Sequence, residues 1–178
     1  MGKTSPPGRV KLVAGLIFNE RGTLDRAVSL LARRFGPIDG ETDPIIFNYT
    51  PYYNDEMGPD LKRKFISFHK PLSAENIFNV KVITNGFEHG LSRNGSRTVN
   101  IDPGYMTLAN LVLLTTKNYT HRIYLSRGIY AETTLFYTGG TFHPWDWTYP
   151  DYNTKEYIDF FNNVRDIFAR QLKGGEIR

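Results

Sequence analysis

The sequence predicts an α+β fold: a single domain with helices packed on a mixed β-sheet that ends in a C-terminal antiparallel meander. Segments with helix and strand periodicity alternate along most of the 178 residues. The stretch 121–143 instead contains strand signals separated only by turn residues. No repeat or linker divides the chain into two cores. We therefore expect one domain over residues 1–178, with flexible tails at 1–8 and 174–178.

Three strands are predicted in the N-terminal part of the chain. Val10–Phe18 is β-rich and almost entirely apolar, as expected of a strand buried on both faces. Pro44–Tyr49 and Lys64–His69 have strand-like composition and lie on either side of a turn-rich loop, Tyr52–Pro59.

Two helices are predicted among these strands. Thr23 is placed to cap the first, which ends at Gly36 and carries apolar residues at helical spacing, namely Leu24, Ala27, Val28, Leu31 and Phe35. A weaker helical region runs from Ser73 to Leu91, where Gly86 and Gly90 lower the helix propensity.

The middle of the chain predicts a strand, a turn and a central helix. Arg97–Ile101 is the strand and Asp102-Pro103-Gly104 the turn. Thr107 then caps a helix, Leu108–Lys117, that is apolar almost all round. A helix without a polar face belongs in the centre of a domain.

The segment from His121 to His143 predicts an antiparallel meander with turns at Arg127-Gly128 and Gly139-Gly140. A three-residue loop, Ser126–Gly128, with Gly128 in the left-handed conformation separates apolar from polar side chains and sets Arg122 opposite Glu132. One face then carries His121, Ile123, Leu125, Ile129, Ala131 and Leu135. The other carries Arg122, Tyr124, Tyr130, Glu132, Thr134 and Phe136.

A last helix follows an aromatic loop. Asn153 and Glu156 resemble a capping box, and apolar residues then recur at helical spacing: Tyr157, Phe160, Phe161, Val164, Phe168 and Leu172. The loop carries Trp145, Trp147, Tyr149 and Tyr152. Such rings stack on nucleobases or sugars, but they more often pack onto the sheet.

The composition excludes several classes of protein. The chain has 40% hydrophobic and 22% charged residues and no stretch of membrane-spanning length, so we expect a cytoplasmic protein with no membrane partner. The absence of cysteine excludes disulfides. The four histidines lack zinc-site spacing, and Gly2-Lys3-Thr4 lacks the rest of a P-loop. No metal or P-loop nucleotide site is evident, and the cofactor is left open.

Two places carry candidate chemistry. At the predicted start of the central helix, free N–H groups suit a phosphate or carboxylate, although Asp102 and Thr107 also satisfy those donors as caps, which is the simpler interpretation. Arg122 and Glu132 suit a substrate anion and a general base. Opposite charges across two strands are also a common structural pair, worth about 0.2–1 kcal/mol. His121, on the apolar face, is expected to be structural.

Several blocks of the sequence resemble one family, the uncharacterised bacterial family called domain of unknown function 4416. The resemblance covers nearly the whole chain and is carried by PxxVKLVAGL, FGPID, YTPYYNDEMG, LKRKFISF, VNIDPGYMTLANLVLLTTKNYTHRIYL, GIYAETTLFY and WTYPDYNTKEYIDFFNNVR. It implies a single-domain cytoplasmic protein without an established reaction, and it assigns no catalytic residues.

The function predicted from these residues is binding or turnover of a small anionic metabolite or nucleotide in a pocket near Asp102, Arg122 and Glu132. The candidate residues are Arg122 and Lys117 for the anion, Glu132 and Asp102 for proton transfer, and Tyr105, Tyr124 and Tyr130 for positioning. An alternative is an RNA- or protein-binding module that uses Lys62–Lys64, Arg93 and Arg97. A non-enzymatic assembly subunit is a third possibility. Whether the chain is an enzyme stays open.

Overall fold

The structure is a computed structural model, and it describes residues 2–174. The strands are β1 Arg9–Phe18, β2 Ile38–Glu41, β3 Ile45–Ile46, β4 Lys62–Phe68, β5 Leu72–Ser73, β6 Val99–Met106, β7 Asn110–Thr115, β8 Ile123–Ser126, β9 Ile129–Thr138 and β10 Thr141–Pro144. The helices are α1 Arg21–Phe35, α2 Asn54–Met57, α3 Phe78–Leu91 and α4 Lys155–Lys173, with a 3-10 turn at Pro150–Asn153. The predicted tails lie partly outside this description, at Met1 and residues 175–178. Residues 2–8 have no secondary structure.

The ten strands form one sheet whose main order is β10-β9-β7-β6-β1-β4-β2. The short strands β3, β5 and β8 pair with β4, β1 and β9. The predicted α+β class is confirmed. Every pair among the described strands is antiparallel, whereas the sequence predicted a mixed sheet.

Helices cover both faces of the sheet. On one face, α1 and α3 pack on alternate residues of β1, such as Leu12, Ala14 and Leu16. On the other face, α4 places Phe161 and Val164 against Val13 and other residues of the sheet. Each fully buried apolar side chain of this kind contributes about 1.5–3 kcal/mol to folding. No helix within residues 2–174 is long and apolar enough to cross a membrane.

Three predictions in the N-terminal half need correction. Pro44–Tyr49 forms a strand only at Ile45–Ile46, and the strand Ile38–Glu41 was missed. Thr23 does not cap α1, because that helix begins at Arg21 and Thr23 is buried within its first turn. The loop 52–59 contains one helical turn, α2.

The predicted turn at Asp102–Gly104 and the predicted central helix Leu108–Lys117 are wrong. β6 continues through Asp102 to Met106 because its other edge pairs with β1 along its whole length. The apolar run that follows is β7, a central strand with both faces covered, and periodicity alone does not separate such a strand from a buried helix. Thr107 instead closes the β6–β7 turn, where its backbone N–H donates to the Asn110 carbonyl at 2.9 Å.

The predicted meander is present, and its first turn is shorter than predicted without a change in the strand register before it. The β8–β9 turn has two residues, Arg127 and Gly128, both at positive φ, rather than three. A register shift between Tyr124 and Ser126 takes up the extra residue, so the pairing Ile123–Ala131 agrees with the predicted register. The side chain of Ile123 was expected on a buried face and is 72% exposed, because β8 is a short outer strand.

Two further details differ near the C-terminus. A second register shift, where Val112 pairs with Thr133 and Leu111 with Leu135, moves Leu135 to the α4 face, away from Ile129. The cap of α4 is Thr154, whose side chain accepts from the Tyr157 N–H, rather than Asn153.

Candidate functional site

The sheet is split between β6 and β7. These strands pair only from Gly104 to Met106, so the first half of β6 has no strand on that side. Side chains of α3 take its place: the Ile101 N–H donates to Glu88 Oε1 at 2.6 Å, and Lys81 Nζ donates to the Ile101 carbonyl at 2.7 Å. The backbone groups exposed by the split are thus satisfied by a helix.

A pocket of about 490 Å³ lies at this split. Its lining comes from both faces of the sheet, since Leu113 belongs to the α4 face and Leu114 to the α1–α3 face. It also includes the loop before β4, the segment after β7 and the 3-10 turn before α4. The volume is in the range of small-molecule sites.

The predicted pair of Arg122 and Glu132 is present at one wall of the pocket. Arg122 Nε donates to Glu132 Oε2 at 2.7 Å, and the Glu132 side chain is only 2% exposed. The other guanidinium nitrogens donate to the Lys117 carbonyl at 3.1 Å and the Tyr149 hydroxyl at 3.0 Å. The guanidinium is therefore held in one orientation, with its carboxylate partner facing the cavity.

His121 contacts the same carboxylate without lining the pocket, although it was expected on the opposite face. Its Nε2 lies 3.2 Å from Glu132 Oε2, and its ring stacks on Trp147 at 5.2 Å between ring centroids. The polypeptide before β8 is irregular, so strand alternation does not apply there.

A second ion-pair group, centred on Arg63, forms the floor. Arg63 is 4% exposed and donates to Asp102 Oδ2 at 3.0 Å and to Asp151 Oδ2 at 3.4 Å. Its Cζ atom lies 5.0 Å from the centroid of the Phe47 ring. Gly15 on β1 leaves the room for this guanidinium, since a Cβ there would lie 2.7 Å from Arg63 Nη1. A buried arginine needs such partners to offset its desolvation.

Aromatic rings form another wall of the pocket. Phe47, Tyr49, Tyr52 and Tyr53 contact one another, with centroid distances of 4.9–6.2 Å. Lys117 Nζ lies 4.2 Å from the centroid of the Tyr52 ring and forms no ion pair with any described carboxylate. Lys117 is thus the lining cation whose charge is least compensated.

Burial changes the ionisation of two lining acids. Desolvation raises the pKa of Glu88, although Lys81 at 3.7 Å acts in the opposite direction. Desolvation likewise raises the pKa of Asp151 against the opposing effect of Arg63. Both carboxyl groups therefore hold a proton more readily than an exposed acid does.

A family model described as "Domain of unknown function (DUF4416)" matches residues 8–168. The chain belongs to this family. The matched range includes every residue that lines the pocket. No curated protein matches the chain, and no solved structure matches it.

In this DUF4416 domain, four of the seven predicted site residues line one pocket: Asp102, Lys117, Arg122 and Glu132. The other three lie elsewhere. Tyr105 packs against the core on the α1–α3 face. Tyr124 and Tyr130 contact each other on the β8–β9 hairpin, with ring centroids 5.3 Å apart, and Tyr124 is largely exposed. Neither ring lines the pocket that contains the Arg122–Glu132 pair.

Two other predictions for the site also change. Neither the candidate anion site at a helix start near Asp102 and Thr107 nor the preferred interpretation of these residues as helix caps applies, because the described residues form a hairpin there. Of the aromatic loop, Tyr149 and Tyr152 line the pocket. Trp145 and Trp147 instead stack on each other at 5.2 Å.

Sequence reasoning missed the contribution of α3. Lys81, Asn85 and Glu88 follow one another at helical spacing and point to one side of the helix, which is a signal that the sequence contains. Arg63 was also missed, because it was assigned to a solvated basic cluster. Within residues 2–174, no group of three or more histidine and carboxylate side chains is arranged to hold a metal ion.

Proposed function

We propose that the pocket at the split of the sheet binds a small anionic metabolite or nucleotide. The observation that carries the proposal is the fixed Arg122–Glu132 pair at the wall of a 490 Å³ cavity. A carboxylate, a carbonyl and a phenol set the orientation of this guanidinium. It is therefore preorganised to bind an oxyanion.

The charges of the lining support an anion. The cations are Lys81, Arg97, Lys117, Arg122 and the buried Arg63, and the acids are Glu88, Asp102, Glu132 and Asp151. Two of these acids, Glu88 and Asp151, have pKa values raised by burial, so they give up their protons less readily than exposed acids do. Lys117 adds a cation that is free to turn from the Tyr52 ring towards a ligand.

The aromatic wall supports a ligand with a flat or apolar part. Tyr52 and Tyr53 present rings to the cavity beside Phe47. Rings of this kind stack on nucleobases and other planar groups. A nucleotide satisfies both requirements, since it joins a planar base to a phosphate.

A thermal-shift screen against anionic metabolites and nucleotides tests the proposal. A compound present at about 100 times its Kd stabilises the folded protein by about 2.7 kcal/mol. We expect at least one compound to raise the Tm of the wild type and to have little effect on the Arg122→Ala/Glu132→Ala variant. The matched control is Arg21→Ala/Asp25→Ala, which removes an exposed ion pair distant in sequence from the pocket residues. The control should show the same rise in Tm as wild type. The proposal fails if no compound raises the Tm of wild type and of the control by more than it raises the Tm of the site variant.

Less supports the alternative of an RNA-binding module. Arg63 is buried, Lys64 pairs with Glu41, Arg93 pairs with Glu20, and Arg97 pairs with Glu56. Cations that already have carboxylate partners gain less from phosphates. The alternative stays a prediction, and steep salt dependence of RNA binding would favour it.

A further inference from the structure

We infer that Glu88 contacts the bound molecule as a neutral carboxylic acid and donates a hydrogen bond to it. The pocket then takes molecules that carry a carbonyl or ring-nitrogen acceptor in addition to their anionic group. This inference rests on the proposed function and names the class of ligand for the same site.

The geometry of Glu88 leaves one oxygen for a ligand. Glu88 lines the pocket and is 8% exposed. Its Oε1 accepts the Ile101 N–H at 2.6 Å. The other oxygen, Oε2, has no hydrogen-bond partner within residues 2–174, and it is not among the fully buried unpartnered atoms. Oε2 is therefore accessible to a ligand, and in the neutral acid it is the oxygen free to carry the proton.

The charged groups around Glu88 separate it from the other lining acids. Lys81 on the same helix lies 3.7 Å away, but its ammonium group is bonded to the Ile101 carbonyl. From β6 and the segment before it, Asp102 acts to raise the pKa of Glu88 and Arg97 to lower it. Burial outweighs the cations, and the pKa of Glu88 is raised. Glu132 and Asp102 instead bond directly to arginines.

Asn85 is a second polar side chain of α3 that lines the pocket beside Glu88. It lies three residues before Glu88 on α3, so both side chains share one side of the helix. Asn85 lines the cavity, and its amide has no hydrogen-bond partner among the described residues. A carboxylic acid beside a primary amide presents one O–H donor, two N–H donors and the amide carbonyl as an acceptor. A pyrimidine or purine has a hydrogen-bond acceptor next to a donor on one edge of its ring. These two groups match the acid and the amide.

Calorimetric titration with two probes tests the inference. Uridine 5′-monophosphate and ribose 5-phosphate share a phosphate and a sugar, and only the first carries a nucleobase with carbonyl acceptors. We expect wild type to bind the nucleotide about tenfold more tightly at about pH 5.5, which is the size of one well-placed hydrogen bond to a buried group. Glu88→Ala should reduce this preference to about twofold or less.

The pH dependence separates a proton donor from a merely polar residue. In wild type, the preference for the nucleotide should fall as pH rises above the ordinary value of 4.5 and through the raised pKa at which Glu88 loses its proton. Glu88→Gln keeps an acceptor for Ile101 and a permanent N–H donor, so its preference should stay constant over this range. Glu75→Gln, at an exposed position, is the control and should behave as wild type.

Two outcomes overturn the inference in different ways. Equal binding of both probes by wild type leaves the proposed anion pocket intact and removes the role of Glu88. Binding of neither probe overturns the inference, and the thermal-shift screen then decides whether the proposed function survives. A nucleotide preference that stays constant with pH in wild type also contradicts the role of Glu88 as a proton donor.

Discussion

Glu88 bonds to the edge of β6 that a longer β7 would otherwise pair with. Its Oε1 atom accepts the Ile101 N–H at 2.6 Å on that side of the strand. Lys81 completes this pairing by bonding the Ile101 carbonyl. A helix therefore holds the sheet open at its centre, and the pocket is the space that this arrangement creates.

The stability of the protein should depend on the proton of Glu88. Burial raises the pKa of Glu88 above its ordinary value of 4.5, so the folded state binds this proton more tightly than the unfolded state. The resulting stabilisation is complete below the ordinary pKa and is lost as pH rises through the raised value. It amounts to about 1.4 kcal/mol for each tenfold difference in proton affinity between the two states. Glu88→Gln cannot lose a proton. We expect wild type to lose free energy of unfolding relative to Glu88→Gln as pH rises from about 4.5 through the raised pKa of Glu88.

Urea unfolding of both proteins across this pH range provides the measurement. Glu75→Gln, which changes an exposed glutamate, should follow wild type throughout. A difference between wild type and Glu88→Gln that stays constant, or that moves in the opposite direction, would contradict the raised pKa.

Removing Arg122 should be costly because it leaves Glu132 buried without its guanidinium. We expect Arg122→Ala to lower the free energy of unfolding by about 3 kcal/mol, as is typical when one partner of a buried pair is removed. Removing both partners should cost less than the sum of the single changes, which a double-mutant cycle measures. The exposed pair Arg21–Asp25 is the control, with an expected coupling of about 0.5 kcal/mol or less. Coupling no larger than the control would show that Arg122 and Glu132 do not interact.

A methyl group at Gly15 should disturb the floor of the pocket. Its Cβ would lie 2.7 Å from Arg63 Nη1 and 2.9 Å from Phe65 Cε1, so both buried side chains must move. We expect Gly15→Ala to destabilise the fold by about 1–3 kcal/mol, as overpacking does. Gly22→Ala is the matched control, because nothing lies within 4 Å of its added Cβ and it is in a helix. It should raise stability by about 0.4–1 kcal/mol in the same unfolding experiment. Equal effects at the two glycines would contradict the close approach of Arg63.

Lys11 forms a second buried pair, on the α4 side of the fold. It is fully buried and bonds to Asp39 and to Gln171 of α4. Lys11→Ala leaves Asp39 without this cation and frees Gln171, so we expect a loss of about 3 kcal/mol in the free energy of unfolding. Lys155→Ala breaks the exposed pair with Asp159 and should change stability by no more than about 0.5 kcal/mol. Binding at the pocket should survive Lys11→Ala in any molecule that stays folded, since Lys11 does not line it.

Elements with a strong local signal could be predicted from the sequence. β1 is an apolar run with few alternatives, and α4 has apolar residues at regular helical spacing. The contact between Arg122 and Glu132 was also predicted. The hairpin register that gave it is set by which side chains are apolar, and the bulge preserved it although the turn was one residue shorter than expected.

The split in the sheet that forms the pocket could not be predicted, because it depends on pairing between distant segments. The run Leu108–Lys117 is as apolar as a buried helix, and only its neighbours β6 and β9 make it a strand. With β7 assigned as a helix, no split in the sheet was conceivable. Arg63, Lys81 and Glu88 then carried no sign of a shared site, since more than ten residues separate Arg63 from the other two along the chain.

The location of a bound anion tests the central claim most directly. We suggest a ¹H–¹⁵N NMR titration of the protein with inorganic phosphate, ribose 5-phosphate and uridine 5′-monophosphate. We predict that amide signals around the split, including those of Ile101 and Lys117, shift with at least one of the three. Those of Asp39 and His69, which line a separate cavity of about 290 Å³ beside α4, should stay in place. Shifts confined to Asp39 and His69, or no shifts with any of the three at about 10 mM, well above the usual range of metabolite affinities, would contradict this prediction.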